Sequence, residues 1–274
     1  MLMSVAAISY LCVVEGSGEI TDIDQYPWAA LIEYQDDNKI RIYCGGALIS
    51  DRYVLTAAHC VVGPHVKAKP PRNVRLGEFD LSNEVDQPDC VTINGGGSDC
   101  TEGAVVIPIE KVISHPDYNN NDRKTRKHDI ALIRMSKSAP TDSDFIRPIS
   151  LPTSDITLSI PSGQLLIETG WGLRKSGTLK VHVKIPFVPL SECQAIYSNH
   201  RTQLWQGQIC AAGKEINPAC TAEGGSPLVW ENPNKVFELI GLDSFGPICG
   251  NDDLPSVYTY VYEYNSWIHQ NIES

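Results

Sequence analysis

Three short motifs, far apart in the chain, constrain what it can fold into. They are Leu55-Thr-Ala-Ala-His59-Cys60, Asp129-Ile-Ala-Leu132 and Cys220-Thr-Ala-Glu-Gly224-Gly-Ser-Pro-Leu228. The third has the frame of a tight turn: a cysteine, a run of small residues, then Pro-Leu-Val entering an apolar strand. An imidazole, a carboxylate and such a turn do chemistry together only if the fold carries them to one place.

Nine cysteines, at 12, 44, 60, 90, 100, 193, 210, 220 and 249, add a second constraint. They do not fall in CxxC metal spacing, and they are many for a cytosolic chain, so they point to a disulfide framework and secretion. Nine is odd, which leaves at least one over. Lys+Arg 22 against Asp+Glu 33 gives a net charge of −11, which argues against nucleic acid as a partner. After residue 14 nothing approaches the ~20 apolar residues of a membrane-spanning helix. Residues 1–14 are apolar but lack a positive start and a clean cleavage site. They read either as a weak signal peptide or as what remains of a truncated upstream segment.

From Trp28 onward, short β-rich runs alternate with Gly/Pro/Asn/Asp clusters. The runs are Trp28–Tyr34, Ile40–Tyr43, Val74–Leu76, Val105–Glu110, Ile130–Met135, Leu165–Thr169, Val181–Val188, Val236–Asp243 and Ser256–Val261. Helices are expected only near Ser191–Tyr197 and at Tyr262–Ile272. The pattern predicts an all-β architecture.

The order His, Asp, turn, with Cys44-Gly-Gly-Ala-Leu-Ile-Ser50 upstream of the histidine, resembles the chymotrypsin-like (S1, trypsin-fold) serine proteases. More narrowly, the chain resembles the catalytic domains of arthropod clip-domain proteases. The resemblance covers about residues 19–272 and implies two six-stranded Greek-key β-barrels with a C-terminal helix. Residues 15–274 would then form one trypsin-like domain, with no clip domain in this chain. It also implies the disulfides Cys44–Cys60, Cys90–Cys100, Cys193–Cys210 and Cys220–Cys249. Cys12 has no partner, because the segment that carries its mate in those relatives is Arg147-Pro-Ile-Ser150-Leu-Pro152 here.

The departures from the family pattern matter most. The family turn is Cys-x-Gly-Asp-Ser-Gly-Gly-Pro-Leu, so the serine position falls on Gly224. Ala222 stands at a glycine of the oxyanion turn, where a Cβ resists the required backbone angles, and Glu223 replaces the aspartate. Glu15-Gly-Ser-Gly18 occupies the place of the Ile/Val-x-Gly-Gly activation sequence, and no Lys or Arg occurs before Lys39. Pro218 replaces the pocket-base residue that is aspartate in trypsin-like members. Ser244, Phe245 and Gly246 keep the pocket wall, but Ser256 stands where a glycine leaves room. A basic side chain is therefore expected to find no counter-charge there.

Ser226 is the remaining hydroxyl of the turn. Two residues of extended chain displace an atom by roughly 6–7 Å, whereas a general base works within about 2.6–3.2 Å of the proton it takes. Loss of the serine from such a triad costs about 10⁶ in turnover. The expectation is a secreted, non-catalytic serine protease homologue with a vestigial His59–Asp129 dyad. It would act as a binding cofactor or decoy in an extracellular protease cascade of the innate-immunity or melanisation type. The alternative is an active S1 endopeptidase with an atypical nucleophile at Ser226. No cofactor or metal is called for; Glu78 and Asp80 are too few for a calcium site. Partners would be proteins, met as a monomer or in transient complexes, with no nucleic acid or membrane. The basic run Arg123–Lys127 beside Asp129 would be a solvated loop, a protease-sensitive nick or a docking patch.

Overall fold

The structure, a computed structural model, describes residues 18–93, 95–122, 124–171, 178–211, 223–246 and 254–273. After a two-residue strand β1 (Glu19–Ile20), the chain runs through β2 (Ala29–Asp36), β3 (Lys39–Leu48) and β4 (Tyr53–Thr56). The β2–β3 turn is the two-residue Asp37-Asn38, with Asp37 at φ 52°, as a tight hairpin requires. A single helical turn α1 (Pro64–Ala68) begins with proline, whose missing N–H would be unpaired there anyway. Then come β5 (Pro71–Leu76), the hairpin β6 (Cys90–Thr92) and β7 (Ser98–Cys100), β8 (Val105–Ser114) and β9 (Ala131–Met135).

The second half contains β10 (Leu165–Trp171), β11 (Lys180–Val188), α2 (Leu190–Ser198), β12 (Gln208–Ala211), β13 (Pro227–Glu231), β14 (Phe237–Phe245), β15 (Ser256–Tyr260) and α3 (Asn265–Asn271).

Six strands close into a barrel in the order β2-β3-β4-β9-β8-β5. A second ring runs β11-β10-β13-β14-β15-β12 and is closed by the β11–β12 pairing, with β1 added on β11. Every strand pair is antiparallel. The expected pair of six-stranded barrels is what the chain forms.

The core explains why the strands read as apolar runs. One cluster fills the first barrel with Leu55, Val74, Ile107 and Leu132 and continues into Val229, Leu239 and Leu242 of the second, so the seam between barrels is itself core. A second cluster, with Leu166, Ile185, Ile240 and Tyr258, fills the other barrel. Strands that face a barrel interior on one side and the seam on the other are buried on both, which erases the period-two alternation.

Several sequence expectations need correction. The strands β1, β4, β12, β6 and β7 and the turn α1 are not among the expected elements. The C-terminal helix is shorter than Tyr262–Ile272, because Val261–Tyr264 forms a 3-10 turn ahead of α3. The described disulfides are Cys44–Cys60, Cys90–Cys100 and Cys193–Cys210. Cys12 and the pairing expected for Cys220 and Cys249 lie outside the described residues. None of the described helices is long and apolar enough to cross a membrane.

Candidate active-site cleft

His59 sits on a 3-10 turn, Ala58–Cys60, directly after β4, and the Cys44–Cys60 disulfide ties that turn to β3. Asp129 lies just before β9, the strand paired with β4, so two adjacent strands bring imidazole and carboxylate together. The geometry is tight. His59 donates its backbone N–H to Asp129 Oδ1 and its Nδ1–H to Oδ2, each at 2.8 Å. Ser244 Oγ donates to the same Oδ2 at 2.6 Å, and Thr259 Oγ1 donates to the Asp129 carbonyl at 2.7 Å.

Asp129 is fully buried. Burial, the largest influence, pushes its carboxyl up, but attraction to His59 and hydrogen bonds from His59 and Ser244 outweigh it. The group stays below the usual carboxylate range. With Nδ1 occupied by Asp129, Nε2 is left as the ring's free proton acceptor.

Gly224 faces that nitrogen. A Cβ built on Gly224 would fall well inside contact distance of His59 Nε2 and 3.2 Å from Cε1. The turn is anchored to the first barrel: Gly45 N–H donates to the Gly224 carbonyl at 3.0 Å, and Cys44 and Gly224 form a parallel bridge. Gly225 has φ +81°, and a Cβ there would meet the Gly45 carbonyl at 2.8 Å, so only glycine fits. Ser226 is 1% exposed, and its Oγ lies against Gly45, 2.6 Å from where a Cβ on that glycine would stand. No hydrogen bond joins it to His59 among the described residues.

The family model described as Trypsin matches residues 16–268. The chain is 45% identical over 269 residues to the "Phenoloxidase-activating enzyme" of Bombyx mori, covering 93% of this chain and 60% of that protein. It is 40% identical over 271 residues to "Serine protease ea" of Drosophila melanogaster, covering 94% and 67%. A solved structure of the Drosophila Grass clip serine protease of the Toll pathway matches with a TM-score of 0.76 and 30% identity, covering 98% of this chain and 72% of that one. The chain belongs to the trypsin family. It spans 60% of the length of the silkworm relative.

In this trypsin-family chain, Ser244 and Phe245 end β14, Gly246 follows directly, and Ser256 opens β15 beside them. A Cβ on Gly246 would meet Ser256 Oγ at 2.8 Å, so the serine crowds the space between these strands. Pro218 and Ala222 lie outside the described residues.

Acidic side chains gather beside this wall. Glu168 on β10 and Asp243 on β14 influence one another, with Glu223 and the Tyr258 phenol close by. Burial pushes Glu168 well above the ordinary carboxylate range, and the charge of Asp243 adds to the effect. Asp243 is raised to about 6, chiefly by burial, against the attraction of His59 and Arg126. Glu223 is raised to about 7, again chiefly by burial, with opposing hydrogen bonds from its own backbone and that of Trp171. Glu168 Oε2, Glu223 Oε2 and the Tyr258 hydroxyl have no hydrogen-bond partner among the described residues.

Two further features escaped the sequence. His115 and His128 stack with ring centres 4.6 Å apart, flanked by Trp205, Tyr264 and Trp267. The basic run also does more than face solvent, because Arg126 reaches the cleft. Glu78 is used internally: Arg75 donates to it at 3.0 Å, and it accepts the Phe79 N–H at 2.9 Å.

Proposed function

We propose that this trypsin-family chain is a secreted, non-catalytic serine protease homologue, in which Gly224 stands at the position of the nucleophilic serine. It acts by binding other proteins of an extracellular protease cascade, as a cofactor or decoy, with His59 and Asp129 kept as a vestigial dyad. One observation carries this reading: the residue opposite His59 Nε2 is a glycine, so the imidazole has no hydroxyl to deprotonate. Without an attacking oxygen there is no acyl-enzyme, whatever the remaining geometry. The names of the relatives, a phenoloxidase-activating enzyme among them, support a place in a melanisation cascade.

The test uses the purified full chain with a fluorogenic peptide ester and an organophosphonate. No burst, no turnover and no covalent adduct are expected. Peptide cleavage that disappears in His59→Ala would overturn the reading, and an adduct at Ser226 would establish the rival nucleophile.

A further inference from the structure

Arg126 lies three residues before Asp129, in the loop between β8 and β9. The loop is braced from within: Arg126 N–H donates to the Asp122 carbonyl at 3.2 Å, while the Asp122 carboxylate accepts the Lys124 and Thr125 amides at 3.3 and 3.0 Å and the Thr125 hydroxyl. It is also tied to the second barrel, because Gln208 Nε2 donates to the Thr125 carbonyl at 2.6 Å. Arg126 and His128 have φ of 43° and 58°. Non-glycine residues seldom adopt such angles unless surrounding contacts hold them there.

This backbone aims the Arg126 side chain across the cleft. Its Nη1 donates to the Ser244 carbonyl, and its guanidinium carbon lies 6.0 Å from the centre of the Phe245 ring. Its charge also attracts the buried Asp243 carboxyl. The Ser244 carbonyl is available because the β14–β15 register shifts between Asp243 and Phe245, a bulge that turns this residue out of the ladder. An extended polypeptide laid along the end of β14 would need that carbonyl as an acceptor and Phe245 as a surface for its side chain. The chain's own arginine already holds both.

Two cavities flank His59. On the Arg126 side, a cavity of about 370 Å³ is left between His59, His65, Tyr118, Asn120, Asp122 and the arginine. On the other side, a cavity of about 500 Å³ is walled by Tyr34, Tyr43, the Cys44–Cys60 disulfide and Lys69, and among the described residues of the basic loop none lines it.

We infer that Arg126 is a built-in latch. Its side chain covers the Ser244–Phe245 end of β14, and a partner polypeptide reaches that edge only when the latch lifts. The inference rests on this chain binding other proteins, as proposed above, places that binding in the cleft and assigns it a regulation. A latch that leaves on the order of a tenth of molecules open lowers the apparent affinity about tenfold, and its removal restores it.

The test compares the full chain with Arg126→Ala and with Arg126→Gln, which keeps much of the side-chain length. Hydroxyl-radical footprinting reads access to the Phe245 ring, and equilibrium binding to β-casein, an extended polypeptide, reads access to the edge. Phe245 labelling should rise in both variants, and casein affinity should rise about tenfold, with the thermal midpoint as the check on folding. Unchanged Phe245 labelling would overturn the latch. Raised labelling with unchanged casein affinity would overturn its role as a gate. Casein fragmentation that is lost on adding His59→Ala would instead refute the non-catalytic reading and leave the latch standing.

Discussion

The imidazole of His59 and the backbone of Gly224 stand too close for a side chain to fit between them, so a hydroxyl cannot simply be added there. In Gly224→Ser the new Cβ would meet His59 Nε2, and the ring or the turn would have to move. We expect Gly224→Ser to show no ester turnover and to lose about 1–3 kcal/mol of stability, the usual cost of overpacking. Burst kinetics and urea unfolding check the two halves of this prediction. His59, Asp129 and Gly224 are legible in the sequence because each lies inside a local motif of fixed spacing. Arg126, Glu168 and Asp243 are not. Arg126 acts through a carbonyl 118 positions away, and Glu168 stands in an apolar run where a polar residue reads as the solvent face of a strand.

Among the elements, β2 and β5 share a buried charge cluster. Arg75 bonds Glu33 Oε1 through Nε at 2.7 Å and Glu78 Oε2 through Nη1 at 3.0 Å, and the two acids are 3% and 4% exposed. Arg75→Ala leaves both carboxylates without their cation and should cost about 3–5 kcal/mol, as broken buried pairs do; urea unfolding measures it. The Cys193–Cys210 bridge joins α2 to β12, and both cysteines are fully buried. Replacing both with alanine should cost about 2–5 kcal/mol, read as a lower thermal midpoint under non-reducing conditions. The longer strands announce themselves in the sequence through their aliphatic runs. The pieces that escape, β1, β4, β12, β6, β7 and α1, span two to five residues, too few to establish a period.

At the scale of the whole molecule, the cleft joins the barrels and concentrates buried acids beside their seam. Glu223 has a folded value of about 7 against an ordinary 4.5, so the folded chain holds a proton that the unfolded chain releases between those values. The sign follows from proton counting: stability relative to Glu223→Gln is fully retained below the ordinary value, falls as pH rises through the window, and levels off above about 7. Urea unfolding of both proteins at pH 5, 6, 7 and 8 should show the difference widening and then holding constant; a constant difference throughout would mean the carboxyl is solvated. The two-barrel plan is legible through its family motifs rather than through alternation, because the seam buries strand faces that would otherwise be wet.

Each sheet curls until its last strand meets its first, and the sole addition among the described strands outside the β6–β7 hairpin is the two-residue β1. Backbone groups that could template a neighbouring chain are consequently spent inside the molecule. A body built this way can be crowded without zipping to its own kind.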